Sequence, residues 1–411
     1  MVNISYIKGI AMDKRKGALV SPLNLLEHIM NWKFFQAIFI VVLAFIGCQS
    51  SNDKQNEFIP VTSKQFGKLS DGREVTLFTL RSKNNATVTV SNLGAALVSI
   101  NVPDKYGAFG DVLLGHENAQ GYADDNYYLG FIVGRYGNRI GKGRFSLDGK
   151  TYQLGINSGE NHLHGGNNGF HRKLWEATIN AKAPSASVTM HCASPDGEEG
   201  YPGKVTLDVT YTWNDSNELT IEYSGTTDAP TILNPTSHGY FNLTGDPRNT
   251  ILDHELMIAA EQFTPVDSEL IPTGKLQNVA GTPLDFRSPK RIGDRINDPF
   301  EQLQLAKGYD HNWVLINYDK TVRLAATLYD PKSGRFMEVL TDQPGLQFYS
   351  GNFLDGSLKG KGGIAYQYRS ALCLETQHFP DSPNKPQFPS VVLKPGETYR
   401  QTTRYHFSTK D

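Results

Sequence analysis

The chain has 411 residues and a formal net charge of −2, with 40 basic and 42 acidic side chains. This balance excludes a global positive field that would favour nucleic acid or an anionic membrane. The three cysteines, Cys48, Cys192 and Cys373, do not form a disulfide framework. The length allows a large core, and all-β architectures of this size often form one domain.

The N-terminal region contains an apolar run of signal-peptide length, FFQAIFIVVLAFI at residues 34–46, which is too short to span a bilayer comfortably. Lys33 precedes it and Gly47-Cys48 follows, which resembles a bacterial lipoprotein signal that would be lipidated on Cys48. A plain secretory signal or a short anchor is the alternative. We predict an upstream extension, a signal peptide and a polar tether, over residues 1–29, 30–48 and 49–59.

Alternating apolar and polar residues predict β-strands through the rest of the chain. The expected strands cover residues 75–80, 86–90, 95–102, 322–328, 336–341, 346–349 and 399–407. A hairpin is expected where strands 205–213 and 219–223 flank the turn at 214–217. A short helix is the most that residues 297–306 allow. The prediction is one antiparallel β-sandwich domain over residues 60–408.

Two of the loops between these strands combine glycine with polar side chains. GRYGNRI, residues 134–140, offers the amide of Asn138 and the guanidinium fork of Arg139, which suit vicinal hydroxyls. The alternative is a turn arginine that pairs with a nearby acid. In NHLHGGNN, residues 161–168, paired glycines beside His164 let the backbone approach a ligand. His162 alternates with His164 and should face the other way. The alternatives are a metal site, for which the sequence shows no third ligand at a matched spacing, and a glycine-rich turn with incidental histidines.

Two further loops carry a histidine and a carboxylate. NPTSHGYFNL, residues 234–243, places His238 in a polar stretch, although a lone histidine is more often a structural hydrogen-bonding group. In GYDHNWVL, residues 308–315, Asp310 precedes an apolar strand. A carboxylate in that position can accept bonds from two sugar hydroxyls, or it can bond its own turn backbone.

The stretch CLETQHFPDSPNKPQFP, residues 373–389, follows a mainly apolar run and presents Glu375 at the mouth of a proline-rich loop. A glutamate is disfavoured at a buried strand end unless something there uses the charge. The alternative is a solvated loop carboxylate. Alternation places Cys373 on the same face as Glu375.

Taken in order, seven motifs resemble the aldose 1-epimerases, or galactose mutarotases, over about residues 64–408. They are GRYGNRI, LHGG, TSHGYFNL, TPVDSELIPTG, YDHN, GLQFYSGNF and CLETQHFPDSPN. The resemblance implies an all-β, galactose-mutarotase-like antiparallel β-supersandwich that interconverts the α- and β-anomers of free aldohexoses such as glucose and galactose. It implies Glu375 as general base and His238 as general acid, with sugar contacts from Asn138, Arg139, His164, Asp310 and Gln347. It calls for no metal, nucleotide or redox cofactor.

Three rival functions follow from the same residues. A glycoside hydrolase would use Asp310 and Glu375 as its carboxylate pair. A non-catalytic sugar-binding lipoprotein would not need both Glu375 and His238. A phosphosugar epimerase would need a compact basic cluster, which Arg135, Arg139 and Arg172 do not convincingly form. We expect a monomeric protein of the bacterial cell envelope, periplasmic or anchored in the outer membrane. Its partner would be an aldose sugar and not a nucleic acid, and it would touch the membrane only through a lipid on Cys48.

Overall fold

The computed structural model describes residues 60–180 and 186–411, whose regular structure consists mainly of antiparallel strands. The first sheet has five strands, each paired with the next along the chain. Their short connections are typical of antiparallel hairpins. The strands are Val61–Lys68, Glu74–Arg81, Thr87–Ser91, Leu97–Pro103 and Phe109–Asp111.

A nine-stranded sheet contains the predicted hairpin and the C-terminal strand. The C-terminal strand pairs on one side with the hairpin and on the other with residues 335–341, so it joins the two halves of the sheet. In spatial order the strands are Glu176–Asn180, Ala186–Ser194, Val205–Trp213, Glu218–Thr227, Tyr399–Thr409, Arg335–Thr341, Arg323–Tyr329, Glu255–Ile258 and Lys290–Arg291.

A six-stranded sheet carries the strand that ends in the Glu375 loop. Its spatial order is Tyr240–Phe241, Leu372–Gln377, Gly345–Tyr349, Asp310–Leu315, Ala260–Thr264 and Gln277–Asn278. The described residues also contain four two-stranded pairs: Arg139–Ile140 with His162–Leu163, Thr236–Ser237 with Ile132–Val133, Thr231–Ile232 with Val392–Leu393, and Arg144–Leu147 with Lys150–Gln153. The helices of the described residues are short: Ala119–Ala123 and Glu301–Ala306, with 3₁₀ turns at Gly141–Gly143, Phe170–Arg172, Glu198–Gly200, Ile292–Asp294, Lys361–Gly363 and Ser382–Asn384.

One hydrophobic core joins the inner faces of the three large sheets. Alternation along each strand supplies it, since every second side chain points inward. The five-stranded sheet contributes Val88, the nine-stranded sheet Val209 and Tyr405, and the six-stranded sheet Phe348 and Leu374. With the core on one face of the six-stranded sheet, the opposite face is left to form a site.

The all-β fold and the predicted strands are confirmed, with bounds that shift by up to two residues at most ends. The hairpin extends further than expected, to Thr227, because its alternation continues past the predicted end. The short helix of residues 297–306 is real but begins only at Glu301. Residues 1–29, the signal peptide at 30–48 with Cys48, and the tether at 49–59 lie outside the described residues. Within the described part, no helix is both long and apolar enough to cross a membrane.

Candidate active site

Glu375 lies on the outer face of the six-stranded sheet, opposite the core. Leu374 joins the core, and Thr376 Oγ1 lies 2.5 Å from Thr403 Oγ1 of the nine-stranded sheet. Because side chains alternate along a strand, Glu375 points to the other face. Its carboxylate is nevertheless only 2% exposed. The loops around the sheet therefore enclose it, and the solvated-loop interpretation is wrong.

Asp310 and Gln347 reach the same face from neighbouring strands. Gln347 lies directly opposite Glu375 in the strand register. Its Nε2 donates a 2.7 Å hydrogen bond to Asp310 Oδ1. Arg139 Nη1 lies 3.7 Å from the other oxygen of Asp310. Asp310 is thus held by two side chains and does not simply bond its own turn backbone.

His238 stands next to Glu375, at a break between two short strands. Its backbone N–H donates to Phe131 O at 2.9 Å, and its carbonyl accepts from Gly130 N at 3.0 Å. These bonds fix the backbone so that His238 Nε2 lies 3.7 Å from Glu375 Oε1. The other ring nitrogen, Nδ1, lies 3.6 Å from Cys373 Sγ.

His164 and Asn138 are locked together beside this pair. Both have left-handed backbones, with φ of 52° and 64°. The Asn138 N–H donates to His164 Nδ1, and the His164 N–H donates to Asn138 O, each at 3.1 Å. Gly165 is required in this turn, since a Cβ there would lie 1.8 Å from Gly134 O. Because Nδ1 accepts a hydrogen bond, the neutral ring carries its proton on Nε2 and can donate it towards the cleft.

His162 is separated from His164, as predicted. Its Nε2 lies 2.6 Å from the Tyr201 hydroxyl, and its Nδ1 lies 2.6 Å from Gly155 O. The ring is fully buried in these contacts. It is therefore a structural histidine.

Six of the seven predicted site residues line one cavity of about 300 Å³, which is a small-molecule size. Gln347 lies behind Asp310 and supports it. The other lining residues are Asn126, Tyr127, Tyr128, Ser158, Leu163, Tyr240, Tyr349 and Phe353. A larger groove of about 810 Å³ elsewhere contains Asp342 and His378. The protein itself bonds both, through Thr402 N and Gln343 Oε1, so the smaller cavity is the better candidate.

Burial shapes the proton affinities in the cavity. It raises the pKa of Glu375 well above the usual value, and the Asp310 charge adds to the rise while Arg139 opposes it. Burial also lowers the pKa of His238 to about 4 and that of His164 well below its usual value. Glu375 Oε1 and His238 Nε2 lie 3.7 Å apart, close enough for opposite charges on the two groups to attract each other. Glu375 Oε2 is buried without a hydrogen-bond partner among the described residues, so it can accept a proton from a bound molecule.

His164, His238 and Glu375 also raise the question of a metal, since one ligand atom from each lies within 4.8 Å of the others. A ligating histidine normally donates its second N–H to an acceptor. The second nitrogen of His164 instead faces the Asn138 N–H, a donor, so its cleft-facing nitrogen keeps its proton. This donor set suits hydrogen bonding to a ligand better than metal coordination.

Two of the three arginines considered for phosphate binding hydrogen-bond to backbone oxygens away from the cavity. Arg135 donates to backbone oxygens of residues 194, 195, 202 and 203. Arg172 donates to Ala123 O and Asp125 O. Only Arg139 faces the cavity. The described residues therefore form no phosphate-binding cluster there.

The sequence interpretation missed the aromatic wall of the cavity, above all Tyr128. Tyr127 and Tyr128 directly precede the LGFIVGRYGNRI stretch, so adjacency to that motif was the available signal. Alternation could not reveal it, because Tyr128 lies in an irregular loop. Tyr349 and Phe353 stack with ring centroids 6.0 Å apart at the same cavity.

Comparisons with known proteins agree with this geometry. A family model described as aldose 1-epimerase matches residues 76–406. Galactose mutarotase from Rattus norvegicus is 44% identical over 351 residues, which are 85% of this chain and 99% of that protein. Aldose 1-epimerase from Escherichia coli (strain K12) is 38% identical over 339 residues, 82% of this chain and 96% of that protein. The crystal structure of galactose 1-epimerase from Lactobacillus acidophilus aligns with a TM-score of 0.76 at 28% identity, over 86% of this chain and 100% of that one. The chain belongs to the aldose 1-epimerase family.

Proposed function

We propose that this protein is an aldose 1-epimerase that interconverts the α- and β-anomers of free aldohexoses such as glucose and galactose. The observation that carries the proposal is the convergence of Glu375 and His238, 3.7 Å apart, in a cavity that suits one sugar ring. Family membership and the galactose mutarotase relatives support the same activity.

The reaction needs a base at the C1 hydroxyl and an acid at the ring oxygen. Glu375 removes the hydroxyl proton while His238 protonates the ring oxygen, and the C1–O5 bond breaks to give the open aldehyde. Rotation about C1–C2 presents the other face of the carbonyl, and reversal of both proton transfers closes the ring with inverted C1. His164 assists on the ring-oxygen side, where its Nε2–H can donate.

We propose that Glu375 and His238 share one proton through this cycle. An ionised Glu375 beside a protonated His238 is the state that opens the ring. A protonated Glu375 beside a neutral His238 is the state left once the ring has opened. Burial penalises the two charges of the first state and so favours the second, while attraction between the opposite charges at 3.7 Å offsets part of that penalty, which lets the reaction run in both directions.

The remaining polar residues hold the sugar so that C1 lies between base and acid. Asp310 accepts hydrogen bonds from sugar hydroxyls, and Arg139 and Asn138 donate to sugar oxygens. Gln347 fixes the orientation of the Asp310 carboxylate through its 2.7 Å bond. We also propose that the protein is active as a monomer. Light scattering on the purified protein tests that state, and a stable dimer would contradict it.

We further propose that Cys48 is lipidated and that the protein is exported to the cell envelope. The support is the apolar run at residues 34–46 followed by Gly47-Cys48. Labelling with a clickable fatty acid in a bacterial host tests this proposal. Label that persists after Cys48→Ala would contradict it.

Polarimetry on freshly dissolved α-D-galactose and α-D-glucose tests the activity. Glu375→Gln should reduce the rate to near the spontaneous background, because an amide cannot accept the C1 proton. Glu222→Gln, the same change at an exposed position of the nine-stranded sheet, is the matched control and should retain full activity. A wild-type chain that does not exceed the spontaneous rate would refute the proposal. Release of the phenol from an aryl glycoside would favour the hydrolase alternative.

A further inference from the structure

The side chain of Tyr128 lies in the cavity against both histidines, and the mechanism above gives it no role. Its ring centroid is 4.6 Å from that of His164 and 6.0 Å from that of His238. The two histidine rings are 5.0 Å apart and nearly perpendicular, at 84°. Tyr128 therefore completes a cluster of three rings in which each ring packs against the other two.

Packing against these rings is one of the contacts that orient the ring of His238. The contact recorded for its Nδ1 is the Cys373 thiol at 3.6 Å, and a thiol is only a weak hydrogen-bonding group. The ring also bonds its own backbone carbonyl. The aromatic neighbours Tyr128 and Tyr240 add contacts that restrict rotation of the ring.

The backbone of Tyr128 has a conformation that an aromatic residue rarely adopts. Its φ is 60°, in the left-handed region, which is unfavourable for a residue other than glycine. Asp125 stabilises this conformation, since its Oδ1 accepts the N–H of Tyr127 at 2.9 Å and that of Tyr128 at 2.5 Å. A strained residue persists only where its surroundings over-determine it. Asp125 is therefore the clamp that directs Tyr128 into the cavity.

Asp125 is itself held from two directions. Its Oδ2 lies 2.7 Å from His116 Nε2, and both side chains are buried. Arg172 donates to the backbone oxygens of Ala123 and Asp125 at 2.6 and 2.7 Å. The support behind Tyr128 thus consists of charged and buried hydrogen bonds, well suited to hold a ring in one place.

We propose that Tyr128 is a positioning residue for the epimerisation, whose ring fixes the relative orientation of His164 and His238 while Asp125 holds the ring in place. This role rests on the proposed function, in which His238 is the general acid that Tyr128 helps to align. The ring carries the role, because the ring makes the contacts with both histidines. Proton transfer is sensitive to alignment, so loss of the ring should slow the chemical step more than it weakens sugar binding.

Polarimetry on the full chain with galactose distinguishes the contribution of the Tyr128 ring to the rate from that of its hydroxyl. Tyr128→Phe keeps the ring and should retain kcat within about threefold. Tyr128→Leu should lower kcat by about tenfold or more, with KM changed by less than about threefold. Tyr106→Leu makes the same change at a residue that is 80% exposed and is the matched control. The shift in melting temperature caused by galactose checks that each variant keeps a folded cleft.

Variants of the clamp give an independent test. Asp125→Ala should reproduce the kcat loss of Tyr128→Leu, and Asp125→Asn, which keeps an acceptor oxygen, should recover most of it. With an active wild type, the role is refuted if Tyr128→Leu keeps its kcat, if it raises only KM, or if Tyr128→Phe loses as much as Tyr128→Leu. A wild type that lacks activity would instead refute the proposed function, and this role with it.

Discussion

At the scale of single residues, Glu375 shows how a site is built at the expense of stability. Its carboxylate is buried beside Asp310, and burial raises its pKa well above the usual value. In the unfolded chain the same group ionises near pH 4.5. Ionisation therefore lowers the free energy of the unfolded state above that pH, whereas it lowers the free energy of the folded state only above the raised pKa. Glu375 thus weakens the fold progressively as the pH rises from about 4.5 through its folded pKa.

Glu375→Gln should consequently stabilise the protein at neutral pH while it removes activity. The amide fills the same space and does not ionise, so the gain in free energy of unfolding at pH 7.5 should be on the order of 1–3 kcal/mol. At pH 4, where both states of the wild-type carboxyl are protonated, the gain should disappear. Urea unfolding at the two pH values measures the difference. A variant less stable than the wild type at pH 7.5 would contradict the argument.

The site residues could be predicted from the sequence, but the contacts between their side chains could not. Asn138, Arg139, His164 and His238 were identified by their place in ordered motifs, and the structure brings all four to one cavity. The hydrogen bond that sets the His164 tautomer depends on the left-handed turn at Asn138, which no pattern of apolar residues encodes. Tyr128 was missed for the same reason.

At the scale of elements, the loop after the Glu375 strand braces the strand that carries Arg139. The Asp381 N–H donates to Arg139 O at 2.8 Å, and Asp381 Oδ1 accepts from Gly141 N at 3.0 Å. Lys385 Nζ lies 3.1 Å from the other oxygen. One side chain thus connects the loop that follows Glu375 to the short strand that carries Arg139.

Asp381→Ala should therefore weaken substrate binding without slowing the proton transfers. In the proposed function Arg139 binds sugar hydroxyls and transfers no proton, so KM should rise about fivefold, corresponding to about 1 kcal/mol, with kcat changed by less than about threefold. Asp381→Asn keeps an acceptor for the Gly141 N–H and should restore most of the affinity. Steady-state polarimetry over a range of galactose concentrations measures both constants. A fall in kcat at unchanged KM would instead connect this loop to the chemistry.

Strands could be predicted well and their arrangement hardly at all. Alternation identified residues 205–213 and 399–407 because each strand buries one face. Nothing local indicates that the C-terminal strand inserts between residues 218–227 and 335–341, since that pairing depends on how distant side chains share the core. The short strand Arg139–Ile140 has too few residues to show a period, although it carries a key site residue.

At the scale of the whole molecule, the structure buries several histidines that ordinarily titrate near neutral pH. Burial lowers the pKa of His171 and His311 to about 3 and that of His238 and His254 to about 4. Above pH 6.5 these rings are neutral in the folded and the unfolded chain alike, so their burial costs no stability through protonation. Stability is lost as the pH falls below 6.5 and towards the folded pKa values, because the unfolded chain then binds protons that the folded chain does not.

The protein should accordingly lose stability steeply between pH 7 and pH 5, at about 1–2 kcal/mol for each such histidine.

His311 offers the cleanest single test, since its ring is fully buried in the core and its Nε2 has no partner among the described residues. His311→Gln removes one titrating ring, so the decrease in the free energy of unfolding between pH 7 and pH 5 should be smaller by about 2 kcal/mol than in the wild type. If urea unfolding gave the same pH dependence for His311→Gln as for the wild type, the acid sensitivity would have to come from other groups.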